Sequence, residues 1–211
     1  MKKYLSLKRQ PFILLLISVL LGVAYIQQEY IAIPQISNMP VVDEVVKIKI
    51  LENYYKYRWL TFLIPVVTLF IRISLVALCL FLGNFFNNRQ QKIRYSAFWN
   101  IALKSDVILI LFSVIIGIVA LRYGAEQVSE VARYSSFAFL VDSNITEQWL
   151  LVPIAALNIF EVCYWFFMAK MVAVQTGGGY WNSFKFVLST YGVGYLFYIV
   201  FLMFLLLYLT N

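Results

Sequence analysis

Two charged side chains sit where charge is hardest to place. Arg72 interrupts "LFIRISLV" in the middle of an apolar stretch running from Trp59 to Phe86, and Glu161 interrupts a second stretch at "LNIFEVCYW". Arg72 lies thirteen residues beyond Trp59, roughly 20 Å along a helix at about 1.5 Å per residue and so close to bilayer mid-depth. Glu161 lies eleven residues beyond Leu150, roughly 17 Å in from the same side. An intramembrane ion needs a partner or a polar path. The spacing predicts an Arg72–Glu161 ion pair between the second and fourth helices. That pair reads first as a structural staple, second as a polar transport route and third as a receptor for the charge on another subunit's helix.

The remaining chemistry is sparse. The chain has no histidine, the commonest general base and metal ligand. Its two cysteines, Cys79 and Cys163, fall inside apolar runs and read as packing residues. Asp106 and Lys170 read as ordinary membrane-boundary residues. With Asp106 and Glu161 at different depths no catalytic pair forms, so neither an enzyme nor a metal or other cofactor is expected. "QTGGGYWNSFK" has glycines but lacks the lysine-serine ending of a phosphate loop and any preceding strand. It reads as a turn, with Tyr180 and Trp181 at the membrane interface. The net charge of +7 comes from basic residues at the ends of apolar runs, which orient a membrane protein and give no reason to expect nucleic acid as a partner.

The elements that position these groups follow from composition. The chain is 63% hydrophobic and 13% charged, about half the charge of a soluble domain. The predicted fold is all-α, a polytopic transmembrane bundle of five helices forming one membrane domain over residues 1–211. The helices are expected at about 11–28, 59–83, 105–122, 150–173 and 186–209, the first kept as an anchor rather than cleaved as a signal peptide. Lys2, Lys3, Lys8 and Arg9, and then Arg89, Lys92, Arg94 and Lys104, place the N-terminus and the second link in the cytoplasm. A bacterial inner membrane is the expected location. Between the first two helices, about 41–57, Val41, Val45, Ile48, Leu51 and Tyr55 share a helical face, which predicts an amphipathic segment on the outer surface. The sequon at Asn144 matters only in a glycosylating compartment.

Small and polar residues suggest how the helices pack. Thr61, Pro65, Thr68, Cys79 and Gly83 share a stripe with Arg72 on the second helix, and Asp106, Ser113, Gly117, Ala120 and Gly124 share one on the third. Small residues four apart let helices approach closely in lipid. Tyr191, Tyr195 and Tyr198 share a face of the last helix.

From about residue 59 onward the layout resembles the Yip-domain family of multi-spanning membrane proteins. The resemblance is carried by "YSAFWNIALKSDVILILFSVIIGIVAL", an aromatic, weakly polar lead into a helix, and by "ALNIFEVCYWFFMAKMVAVQTGGGYWNSFKFVLSTYGVGYLFYIVFLMFLLLYL", two terminal helices joined by a small-residue turn. Eukaryotic members of that family are associated with small GTPases and vesicle traffic, and the resemblance implies an interaction protein with no catalytic residue. The expected function is a scaffold or accessory subunit of a membrane complex, with the bilayer and other membrane subunits as partners. The alternatives are a small transport or permease subunit using Arg72 and Glu161, and a bacteriocin-immunity or membrane-stress protein.

Overall fold

The computed structural model describes residues 9–37, 44–86, 93–142 and 146–210; the sequon and the start of the predicted amphipathic segment lie outside them. Among the described residues five helices are long and apolar enough to span a membrane: Gln10–Ser37, Arg58–Phe86, Tyr95–Tyr123, Ile159–Thr176 and Tyr180–Leu209. Among the described residues no strand forms, and the chain is a helical membrane protein as its composition requires.

In order, α1 (Arg9–Gln27) runs through a π turn at Gln28–Ala32 into α2 (Ile33–Ser37), and α3 (Glu44–Lys56) precedes the long α4 (Arg58–Phe86). The third span is α5 (Tyr95–Ser105) and α6 (Val107–Tyr123), meeting at Asp106, with α7 (Ala125–Tyr134) following Gly124. Gly124 has φ +86°, which suits a residue without a Cβ. The fourth span is preceded by α8 (Gln148–Ala156) and consists of α9 (Ile159–Thr176), closed by left-handed Gly177. The last consists of α10 (Tyr180–Val187), a π turn at Leu188–Gly192 and α11 (Val193–Thr210).

Two expected boundaries shift for physical reasons. Hydropathy predicts a third helix starting at 105, but the aromatic lead is itself helical from Tyr95 and buries Phe98, Trp99, Ile101, Ala102 and Leu103. Hydropathy predicts a fourth helix unbroken from 150 to 173, but the chain leaves helical geometry at Leu157 and restarts behind Asn158. Pro153 already weakens α8 by removing one backbone donor. The amphipathic segment is helical as α3, and Val45, Ile48 and Tyr55 remain exposed, as a helix lying in a membrane interface requires.

The chain forms two compact units, Met1–Ile71 with Ile110–Val131, and Arg72–Leu109 with Ala132–Asn211. In the first, Arg58 pairs with Glu29, and the Thr61 hydroxyl lies 3.4 Å from Gln28 Oε1. Gly117 is buried opposite Val23 and Ile26, so the predicted small-residue contact of the third helix is present there, while Ser113 is half-buried. Thr68 does not join a packing stripe. It is exposed, and its hydroxyl donates to the carbonyls of Ile64 and Pro65 at 2.9 and 3.0 Å. A short polar side chain beside a helical proline satisfies itself on its own backbone.

In the second unit the buried stripe of α4 is Ile73, Val76, Ala77 and Leu80, not the polar stripe through Arg72. Tyr164, Met168 and Val172, four residues apart on α9, are fully buried, as are Phe98 on α5 and Val187 on α10 at 1% or less exposure. Phe166 stacks on Phe184 at 4.7 Å, joining α9 to α10. Cys79 and Gly83 meet the last span as expected of small residues. A Cβ at Gly83 would fall inside the Thr190 side chain, and one at Gly194 would lie 2.9 Å from Cys79 Sγ. Cys163, by contrast, is exposed because it falls off the buried stripe of α9. Gly83→Val should therefore lower stability by about 1–3 kcal/mol through overpacking. Gly22→Ala, whose Cβ would meet nothing within 4 Å, should be neutral or slightly stabilising; thermal unfolding of both variants in detergent checks the contrast.

Candidate functional site

Arg72 sits at the centre of α4, fourteen residues from either end. Its partner is Asp106, with Nη2 at 3.2 Å from Oδ1, and not Glu161 as the sequence predicts. The longer third span explains the exchange. With the helix starting at Tyr95, Asp106 lies eleven residues inside Tyr95–Tyr123 and is 2% exposed, so it is no boundary residue. The Arg72–Asp106 contact is a charge contact without hydrogen-bond alignment, since neither Nη2 nor Oδ1 has a hydrogen-bond partner. The guanidinium carbon also lies 5.1 Å from the ring centre of Tyr164, a cation–π arrangement. Nη2 is buried, yet 36% of the Arg72 side chain stays uncovered.

Glu161 is held by different groups. Asn158 caps α9, its Oδ1 accepting the Glu161 backbone N–H at 2.9 Å. Asn-x-x-Glu is the spacing of a capping box, but here the glutamate side chain does not reach back to the cap. Its Oε1 accepts the Tyr191 hydroxyl at 2.7 Å and the Trp165 indole N–H at 2.9 Å. Glu161 is 6% exposed and lies in the first turn of α9, where the helix dipole favours an anion. It acts on Arg72 through space only. The two predicted charges thus share one cluster without pairing.

Two backbone irregularities aim these donors. At the break before α9, Phe137 N–H donates to Leu157 C=O and Ile159 N–H to Ser135 C=O, both at 2.9 Å, around an isolated bridge of Ser136 with Asn158. These bonds occupy backbone groups that an interrupted helix would leave bare in lipid. Ala156 C=O, another such group, accepts the Tyr195 hydroxyl at 2.7 Å. In the last span the π turn carries Tyr191, and the Thr190 and Ser189 hydroxyls donate to Phe186 C=O at 2.7 and 3.1 Å. The tyrosine face read from the sequence is present as a run of rings. Tyr191 lies 5.9 Å from Tyr195, and Tyr195 lies 6.0 Å from Tyr198.

A groove of about 670 Å³ lies along the contact of Cys79 and Gly83 with Thr190 and Gly194, away from the charges. Chemically the charged cluster can hold helices together. Sequence reasoning missed Asp106 as the partner, although the aromatic lead "YSAFWNIALKS" carried the signal that the helix starts earlier.

Tyr191→Phe should cost about 1–3 kcal/mol by leaving the buried Glu161 carboxylate one donor short. Tyr198→Phe, at an exposed ring, should change stability little, and reversible unfolding in detergent distinguishes the two. No protein-family model, curated protein or solved structure matches the chain.

Proposed function

We propose that the chain is a non-enzymatic multi-pass protein that acts as a scaffold or accessory subunit of a membrane complex, with its N-terminus in the cytoplasm of a bacterial cell. The observation that supports this reading is the uncovered part of Arg72. At mid-span 36% of that side chain is open beside the exposed Thr68 and Leu75. A charged side chain left partly open at mid-span is unfavourable, and a neighbouring subunit's helix would cover it. The Yip-like layout points to the same class of protein and names no partner.

A second reading, a small transport subunit, draws on the interrupted backbone at Leu157. Discontinuous helices line substrate sites in many transporters. Photo-crosslinking separates the two readings. A crosslinker at Thr68 or Leu75 should capture one discrete membrane protein in its native membrane, whereas one at the exposed Phe204 should not. Lipid adducts alone at all three positions, together with solute flux lost in Arg72 variants that remain folded, would replace the scaffold reading with the transport one.

A further inference from the structure

The charged cluster of the second unit does not balance. It contains two carboxyl groups, Asp106 and Glu161, at 2% and 6% exposure, and a single guanidinium, Arg72. With all three ionised it carries one negative charge inside the membrane spans, where an uncompensated charge is strongly unfavourable. The groups facing Asp106 can be named from each packed element. Arg72 comes from α4, Glu161 and Tyr164 from α9, and Tyr191 acts on the same guanidinium from the last span. Lys104 is two residues away on the same helix and so points to its other side.

The two acids are not equivalent. Glu161 has two donors on Oε1 and a capped helix start beneath it, an arrangement that suits an anion. Asp106 makes an unaligned charge contact with Arg72, and its Oδ1 lacks a hydrogen bond. Tyr164, 0% exposed under the same guanidinium, carries a hydroxyl that also has no hydrogen-bond partner. A bare carboxylate oxygen therefore occurs where one positive charge is missing.

We propose that Asp106 is a proton-binding site. A proton from water forms an O–H bond on the Asp106 carboxylate, bringing the cluster from one negative charge to neutrality, and its release restores the ion pair with Arg72. In the protonated state Glu161 is the remaining counter-charge for Arg72.

Infrared spectroscopy of the full chain in phospholipid bilayers tests this directly. At neutral pH the spectrum should show a protonated carboxyl band that is lost reversibly under alkaline conditions. Labelling with carboxyl-¹³C aspartate should move it, and labelling with carboxyl-¹³C glutamate should not. The chain has three aspartates, Asp43, Asp106 and Asp142, so the band should persist in an Asp43→Asn, Asp142→Asn variant and vanish in Asp106→Asn. If Asp106→Asn fails to fold, the label and the other variant still decide. No protonated carboxyl at neutral pH, or a band that follows the glutamate label, overturns the proposal.

Discussion

An arginine at the middle of a membrane span must be matched from within the protein, and the second unit is arranged around that constraint. Arg72 cannot discharge itself by losing its proton, and fourteen residues of helix on each side keep it from reaching either interface easily. The fold answers with Asp106 at 3.2 Å and the face of Tyr164 at 5.1 Å. Removing one partner from such an arrangement is worse than removing both, because a buried charge is left alone.

The irregular parts of the backbone follow from the same demand. An unbroken fourth helix would leave no capped helix start under Glu161. The break at Leu157 places Glu161 in a first turn, and the surrounding loop takes up the freed backbone groups. The π turn at Leu188–Gly192 carries Tyr191, which donates to Glu161, and hydroxyls from Ser189 and Thr190 meet the Phe186 carbonyl within that turn. The same segment supplies Thr190, which fits against Gly83 only because that position has no side chain. Helix packing and charge matching are therefore coupled through a few residues of the last span.

Much of this was legible in the sequence. Hydropathy and length gave the five spans, and the tyrosine spacing gave the aromatic face of the last one. Gly117, Cys79 and Gly83 followed from the rule that small residues permit close approach in lipid. The partner of Arg72 was not legible from depth alone, since depth depends on where each helix starts. "YSAFWNIALKS" is too polar to read as membrane helix by hydropathy, yet one face of it is apolar and buried. Thr68 failed as a packing residue because local hydrogen bonding to the turn around Pro65 competed with interhelical contact. Breaks and π turns depend on tertiary donors, which no local pattern displays.

The most direct test of the account is a pair of double-mutant cycles, Arg72→Leu with Asp106→Leu and Arg72→Leu with Glu161→Leu, measured by reversible unfolding in bilayers under mildly alkaline conditions. The structure predicts a coupling of about 1–3 kcal/mol between Arg72 and Asp106 and a clearly smaller one between Arg72 and Glu161. Because part of Arg72 is uncovered, the first value should fall below that of a fully enclosed pair. A stronger coupling to Glu161 than to Asp106, or none to either, would contradict the claim that the Arg72–Asp106 contact holds this unit together.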